Sequence, residues 1–387
     1  MSGRMKNCIR ICFVLLAVLC ATRMPVRVFA KEAGDYTQDY FDMLDVGELD
    51  TFVQGQEELD DITFSDLVGQ LIQGKWELDG KKLMDQLLEL LWSEIETNKS
   101  LLIMVLLLAV SCTFVKNIAE AFRNSYVSDI CFALIYMQMM VMLLKSFQIA
   151  GGIVTDALNS IIEFMTVLVP VFCMSLSLGL ANLTSAGFYQ LAFMVIYAVQ
   201  WIMLELLVPL VQVLVVLQFM NYMVKGEKFT RMCELLEDGI RWCLKCVISV
   251  IVGLNVIQVM VAPAVDRLKT SSVTRGVGMI PGVGNISNAL SDMLLGAGMV
   301  IKSSVGTAGI IVLLLIAMLP FLKLLILALL YKVTAAVTEP VADKRIAGSI
   351  NGVYVGCVLM VKILLTSLVL FVVTIAIVAT TSNAVTG

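Results

Sequence analysis

The sequence predicts an all-α polytopic membrane protein, and three observations support this class. Of the 387 residues, 59% are hydrophobic and only 15% are charged, whereas soluble domains carry about 25% charged residues. The apolar residues fall in long runs, and about 20 such residues suffice to cross a bilayer. Acidic residues are concentrated before the first run, since 18 of the 31 lie between Lys31 and Asn98. An acidic segment therefore precedes a mildly basic multi-span body.

Residues 1–30 have the layout of a secretory signal peptide. Three basic residues among the first ten precede an apolar core at 11–21, and Ala30 ends a cleavage-like sequence. This core is shorter than an ordinary span. Arg23 and Arg27 are unusual so close to a cleavage site, which leaves retention as a short anchor open. In both cases the chain after residue 30 is expected outside the cytoplasm.

Residues 31–98 form the predicted acidic exported helical segment. Leu83, Leu87, Leu91 and Ile95 recur every four residues, which predicts an amphipathic helix just before the first span. The segment has few apolar side chains for an independent fold. Its apolar stripe therefore fits either a partner protein or the surface of its own membrane domain.

Residues 99–387 form the predicted multi-span membrane domain. The run at 188–224 has 37 residues and would measure roughly 55 Å as one helix, far more than the bilayer core of about 30 Å. Glu205 and Pro209 lie in its middle, so a hairpin of two spans is predicted there. The split also places the five basic residues of 225–246 on the cytoplasmic side. About eight transmembrane helices result, at approximately 100–115, 130–149, 161–181, 188–205, 207–224, 247–262, 310–331 and 353–379.

Two further helices are predicted outside this set. Residues 225–246 alternate apolar and charged positions in a way that suits a helix on the inner membrane surface. Residues 286–301 are short for a span and contain Asp292, which predicts a re-entrant or interfacial helix on the outer side. A flexible hinge is predicted to begin this helix, and pore lining is favoured over a scaffold role. The hinge positions are Gly278, Pro281, Gly282 and Gly284.

The residue types exclude several kinds of chemistry. The chain has no histidine, so Ser-His-Asp and Cys-His catalytic sites are impossible. Phosphate-loop and dinucleotide fingerprints are both missing. Cys243 and Cys246 form a CxxC without a second ligand pair, and packing explains them better than metal binding. The sequence therefore predicts no enzyme, no cofactor, no metal and no nucleic-acid partner.

Ionisable residues inside the predicted spans are the better functional candidates, because charges are costly in lipid. Lys145 and Glu163 lie near span ends and are expected to reach the headgroups. Glu205 lies at the predicted hairpin tip, where exposure explains it equally well. Lys323 and Lys362 are deeper, and a pore or packing role and snorkelling towards the lipid surface both remain open.

Small residues and prolines suggest close helix packing. Gly348, Gly352 and Gly356 recur every four residues, a spacing that lets another helix approach closely. Packing within the chain is favoured over packing between subunits. Pro170 and Pro320 have similar surroundings, which hints weakly at an internal repeat.

The last third of the chain carries a more specific signal. The stretches MIPGVGNISNALSDMLLGAGMVIKSSVGTAG and LPFLKLLILALLYKVTAAVTEPVADKRI follow one another. Together they resemble the stage III sporulation protein AE family, and the signal sequence, acidic segment and many spans agree with it. The matching motif positions are Gly278, Pro281, Gly282, Gly284, Lys302, Pro320, Lys323, Tyr331, Lys332, Pro340, Asp343 and Arg345.

This resemblance implies a membrane subunit of the channel-like, secretion-like transenvelope complex that links mother cell and forespore during engulfment. It implies a place in the mother-cell-derived membrane around the forespore and a need for the protein in late forespore development. Its implied partners are other proteins of that complex, including extracytoplasmic ring-forming subunits, together with membrane lipid. A homo-oligomer is compatible with the same role. The alternative is a stand-alone secondary transporter or permease for a small solute, which the prolines and intramembrane charges would suit.

Overall fold

The computed structural model describes residues 46–56, 63–73, 80–121, 125–179, 183–224, 228–277 and 284–381. These ranges are almost entirely helical and contain no β-strand, so the predicted all-α class is confirmed for them. The signal peptide and the first residues of the exported segment lie outside the described residues. The helices are α1 (Gly47–Gln54), α2 (Phe64–Ile72), α3 (Gly80–Ala121), α4 (Ser125–Gly179), α5 (Leu183–Ile202), a π-helical segment (Met203–Leu207), α6 (Val208–Met223), α7 (Thr230–Val277), α8 (Gly284–Thr338) and α9 (Lys344–Thr381).

Four described helices are long and apolar enough to cross a membrane, which supports the membrane class. They cover Ile130–Ser175, Phe193–Met223, Val300–Thr338 and Lys344–Ala376, and a shorter apolar helix covers Ile103–Val115. Each of the four exceeds the roughly 20 residues that a bilayer needs. The predicted number of eight spans is not confirmed.

The long helices pack side by side as an antiparallel bundle. Tyr331 of α8 bonds Ser146 of α4, and Gly309 of α8 faces Leu168 of α4. Later residues of α4 therefore contact earlier residues of α8, so the two helices run antiparallel. Helix α9 contacts all of α4 to α8 and lies at the centre. We call the lower end the one at which α6 and α8 end and α9 begins, and the upper end the opposite one.

The predicted hairpin at Glu205 and Pro209 is wrong. The backbone is helical at Ile202 (φ −61°, ψ −40°) and again at Val208 (φ −62°, ψ −51°), with the π-helical segment between them. Proline lacks an N–H and would disturb a regular α-helix. The wider π-turn directly before Pro209 lets the chain pass it without turning back.

Contacts with α9 confirm that α5 and α6 run as one rod. They continue in steady antiparallel register on both sides of the π-helical segment. The pairs from upper to lower end are Tyr197–Phe371, Gln200–Ser367, Val215–Gly356, Gln218–Gly352 and Tyr222–Gly348.

Two stretches that were left between predicted spans are also helical. Residues 151–160, between the predicted spans at 130–149 and 161–181, lie inside α4. Their buried side chains include Val154, Ala157 and Leu158, whereas Asp156 is exposed. Helical periodicity therefore continues across this polar stretch, because its polar residues occupy one face.

The stretch at 263–309, between the predicted spans at 247–262 and 310–331, is likewise helical in its described part. Residues 286–301 are the beginning of the 55-residue helix α8 and do not form a separate re-entrant helix. The helix continues through Gly296, Gly298 and Lys302 without a break. Gly278, Pro281 and Gly282, the predicted hinge, lie outside the described residues.

The N-terminal segment packs on the bundle instead of standing apart. Helix α1 contacts α4, and α2 contacts α8. The rings of Phe52 and Phe164 have centroids 5.7 Å apart, and Phe64 is fully buried. The predicted amphipathic helix and first span form one helix, α3, so the expected boundary between residues 98 and 99 falls inside it.

Residues 230–246 are the first part of the 48-residue helix α7, which packs along α5, α6 and α9. Its buried stripe is Cys233, Ile240, Leu244 and Ile251. A separate surface helix is therefore not observed, because the apolar stripe faces the bundle. Burial raises the pKa of the Cys233 thiol, and the neighbouring Glu234 charge adds to the effect.

Candidate functional site at the lower end of the bundle

The turn between α8 and α9 forms the base of the lower end. The backbone N–H of Arg345 donates to the Asp343 carboxylate at 3.0 Å, and the N–H of Ile346 donates to the Asp343 carbonyl at 2.9 Å. Asp343 therefore caps the start of α9. Pro340 is exposed in the turn before it, where the loss of an N–H costs little.

A buried tyrosine joins three helices just above this turn. The Tyr136 hydroxyl of α4 donates to the Phe219 carbonyl of α6 at 2.8 Å and lies 2.6 Å from Ser349 Oγ of α9. Ser349 also reaches the Arg345 carbonyl at 2.8 Å. Because Tyr136 and Ser349 are both fully buried, these bonds satisfy polar groups that would otherwise be costly in an apolar interior.

A second buried tyrosine pins α8 to α4. Tyr331 is fully buried and donates to Ser146 Oγ. The next residue, Lys332, is exposed and has its Nζ 3.2 Å from Asn351 Oδ1 and 4.8 Å from the centre of the Tyr354 ring. These contacts hold α8 against α4 on one side and α9 on the other.

Arg345 extends the same cluster towards α4. Its guanidinium lies 5.4 Å from the centre of the Phe132 ring, within the range of a cation–π contact. The motif residues Tyr331, Lys332, Asp343 and Arg345 therefore meet at the lower end, together with residues of α4.

The three spaced glycines of α9 form a close seam with α6. A Cβ added at Gly348 would lie 2.6 Å from the Tyr222 ring, and one at Gly352 would lie 2.5 Å from the Gln218 amide oxygen. A Cβ at Gly356 would lie 2.4 Å from Val215 and 2.8 Å from the Phe147 ring. The spacing thus serves packing between helices of one chain, as the sequence favoured.

The remaining predicted positions do not join this cluster. Lys302 is buried in the upper part of α8 with only 1% of its surface exposed. Pro320 and Lys323 on α8 and Lys362 on α9 are half-buried, and Glu205 is exposed on the π-helical segment. Both Lys302 and Lys362 interact with other groups.

Two further predicted positions lie at the start of α8. Gly284 is its first residue, and Asp292 lies within its first turns. Of the predicted hinge only Gly284 lies within the described residues, so the predicted pore-lining role of this stretch stays a prediction.

Several residues of the lower cluster were missed from the sequence, namely Phe132, Tyr136 and Ser146. Each lies in the apolar run at 130–149, where its polar group or ring looked incidental. A tyrosine within a largely apolar span was the available signal, since a buried hydroxyl needs a partner.

A cavity of about 380 Å³ lies between α4 and α6 above the cluster. Its lining is mostly apolar, with two glutamine side chains, and comprises Leu144, Phe147, Gln148, Pro209, Gln212, Val213, Val216 and Leu217. Within the described ranges, no three His, Cys, Asp or Glu side chains are grouped in a way that could hold a metal ion. Cys243 and Cys246 are free thiols on α7.

The geometry defines a helical membrane protein whose buried polar groups fasten long helices to one another. Comparison with known proteins is more specific. The family described as stage III sporulation protein AE matches residues 62–382, so the chain belongs to that family, and the predicted resemblance is confirmed.

A curated relative agrees with the family match. The chain is 25% identical over 273 residues to the stage III sporulation protein AE of Bacillus subtilis (strain 168), which covers 70% of this chain and 68% of that protein. No solved structure matches the chain. Family membership supports a role in sporulation.

Proposed function

We propose that this chain is a membrane subunit of the transenvelope complex that links mother cell and forespore, acting without catalysis and needed for late forespore development. The observation that carries the proposal is the family match across residues 62–382, which includes the four long apolar helices. In this role the chain lies in the mother-cell-derived membrane and displays its N-terminal helices to extracytoplasmic partners.

The outer face of the α5–α6 rod supports a subunit of a larger assembly. Exposed apolar side chains follow the rod from Met194 to Met220, a length of about 39 Å at 1.5 Å per residue. A bilayer core covers only about 30 Å. Lipid chains therefore cannot cover the whole apolar face, and a neighbouring subunit would cover the remainder.

The acidic surface of the upper half offers a contact for extracytoplasmic proteins. Glu48 on α1 and Asp156 and Glu163 on α4 are all exposed. Charges in such positions steer association and set partner choice more than they raise affinity. Reversing them should therefore weaken recruitment without unfolding the bundle.

The test is co-purification from sporulating cells after chemical crosslinking. We expect the tagged native chain to bring down other membrane and extracytoplasmic proteins, and the double variant Asp156→Lys/Glu163→Lys to recover several-fold less of the extracytoplasmic set. Glu234→Lys is the matched control, because Glu234 is exposed on α7 near the lower end, and it should recover the native set.

Two results would contradict the proposal. One is a pair of observations: the chain is recovered alone from crosslinked cells, and a strain that lacks the chain still forms heat-resistant spores normally. The other is solute flux by the purified chain in liposomes that Lys323→Ala abolishes, which would favour a stand-alone transporter.

A further inference from the structure

The exposed side of α3, α4 and α8 is apolar over only part of its length. On α4 the large exposed apolar residues of the lower half end at Ile149, and on α8 they begin at Leu325. We call this region the apolar band. It comprises Ile103, Met104, Leu107, Val110, Phe114 and Ile118 of α3, Ile130, Leu134, Met137, Val141 and Ile149 of α4, and Leu325, Leu329, Val333 and Val337 of α8.

Contacts place the three parts of the apolar band at one height. The bond between Tyr331 and Ser146 sets the exposed part of α8 beside residues 130–149 of α4. Helix α3 ends at Ala121, shortly before α4 begins at Ser125, and the two helices contact each other. They must therefore run antiparallel, with residues 103–118 of α3 beside the lower half of α4.

The height of the apolar band matches a bilayer. Residues 130–149 of α4 span about 30 Å at 1.5 Å per residue, which is the thickness of the hydrocarbon core. Two exposed lysines fall within it. Lys145 is near the upper edge, from which its long side chain can reach headgroups, and the Lys332 ammonium bonds Asn351 and lies over the Tyr354 ring.

Above the apolar band the surface of α4 changes character. Between residues 150 and 168 its exposed positions are Gly152, Asp156, Glu163 and Thr166. Its apolar side chains there are buried or half-buried, and Ile161 and Phe164 are fully buried. On α3 the exposed ion pair of Glu96 and Lys99 lies at the corresponding height, and beyond it the exposed surface is mixed, with Ile95 and Trp92 beside polar residues.

The N-terminal helices cover this upper part and are themselves polar outside. Leu49, Val53, Phe64 and Leu67 are buried at 2% exposure or less. Asp50 accepts hydrogen bonds from the backbone N–H and the hydroxyl of Ser65, which ties α1 to α2. The outer surface of α1 and α2 is therefore expected to face water, because carboxylates are rare and costly in contact with lipid.

We propose that on this side of the molecule the bilayer covers only the apolar band, and that residues 150–168 of α4, roofed by α1 and α2, project from the membrane. The lower end then faces the cytoplasm, because Lys228, Arg231, Lys344 and Arg345 lie there and short cytoplasmic loops are rich in Lys and Arg. The predicted span at 161–181 accordingly begins outside the lipid. This placement does not depend on the proposed assembly.

The test uses the unmodified full-length chain in vesicles of phosphatidylcholine and phosphatidylglycerol. A phosphatidylcholine with a diazirine in its acyl chain is activated by light, and the crosslinked peptides are identified by mass spectrometry. We expect crosslinks in 130–149 and 325–337, with several-fold lower yield in 150–168 and 47–72. Comparable yields in 150–168 and 130–149 would overturn the proposal.

A second measurement on the same vesicles tests whether the carboxylates of residues 150–168 are accessible to a water-soluble reagent. A water-soluble carbodiimide with an amine nucleophile should modify Asp156 and Glu163 as fully as it does in chain unfolded by sodium dodecyl sulfate. Strong protection of both carboxylates in the vesicles, reversed by unfolding, would also contradict the placement.

Discussion

Helices α9 and α4 are both long and apolar, yet they are buried to different degrees. In the most apolar 18-residue stretch of Lys344–Ala376, 78% of the residues are buried. In the corresponding stretch of Ile130–Ser175, 44% are buried. Helix α9 contacts protein on all sides, so small residues on it admit its neighbours. Helix α4 keeps an outer face, along which apolar residues give way to polar ones. Mean hydropathy alone does not distinguish a central helix from one that faces lipid.

The largest expected effect is at the α9 seam. Gly356→Ala should lower the free energy of unfolding by about 1–3 kcal/mol, because the new methyl group would overlap Val215 and the Phe147 ring. Thermal unfolding of the purified protein in detergent measures the change.

Gly152→Ala on α4 is the matched control. Nothing lies within 4 Å of a Cβ at this position, and alanine is favoured over glycine in a helix by roughly 0.5–1 kcal/mol. Its melting temperature should stay the same or rise. Equal losses for the two variants would remove the distinction between a central α9 and a peripheral α4.

A smaller effect is expected at the bond that joins α8 to α4. Tyr331→Phe removes the hydroxyl that donates to Ser146, which should cost about 0.5–1.5 kcal/mol. A double-mutant cycle with Ser146→Ala isolates the bond. Additive losses in the two single variants would mean that the hydroxyls do not interact.

The sequence predicted the helical class and the apolar runs but not where helices end. Glu205 and Pro209 read as a turn, yet the contacts of Gln200 with Ser367 and Gln218 with Gly352 hold the chain straight. The residues around Glu205 and Pro209 carry no local trace of these contacts. The polar stretch at 151–160 misled for the same reason, since a helix can present polar residues on one face outside lipid.

Helix α2 was missed although its beginning carries a local signal. The Thr63 side chain accepts a hydrogen bond from the backbone N–H of Asp66 at 3.1 Å, which is an N-cap with an acidic residue in the first turn. Its burial on α8 could not be predicted, because it depends on a helix more than 200 residues away in sequence. The lower-end cluster itself was not predicted. Tyr331, Lys332, Asp343 and Arg345 were named from the sequence only as motif positions, and their partners on α4 carry no motif.

The smallest expected effect is at the ion pair on α3. The hydrogen bond and the charge of Lys99 lower the pKa of Glu96, so the pair stabilises the fold above the unfolded pKa of Glu96 and loses this contribution as the pH falls through the folded value. Lys99→Met should raise the pKa of Glu96. NMR titration of the Glu96 carboxyl carbon measures this pKa. Both side chains are exposed, so the melting temperature should hardly change.

The central claim is that α5, the π-helical segment and α6 form one rod along α9. Spin labels at the exposed positions Met194 and Met220, in a background without the native cysteines, allow their separation to be measured by pulsed electron paramagnetic resonance. A continuous helix places the two backbones about 39 Å apart. A distribution centred near that distance is the expected result, whereas one centred near the roughly 10 Å spacing of packed neighbouring helices would restore the hairpin and contradict the account.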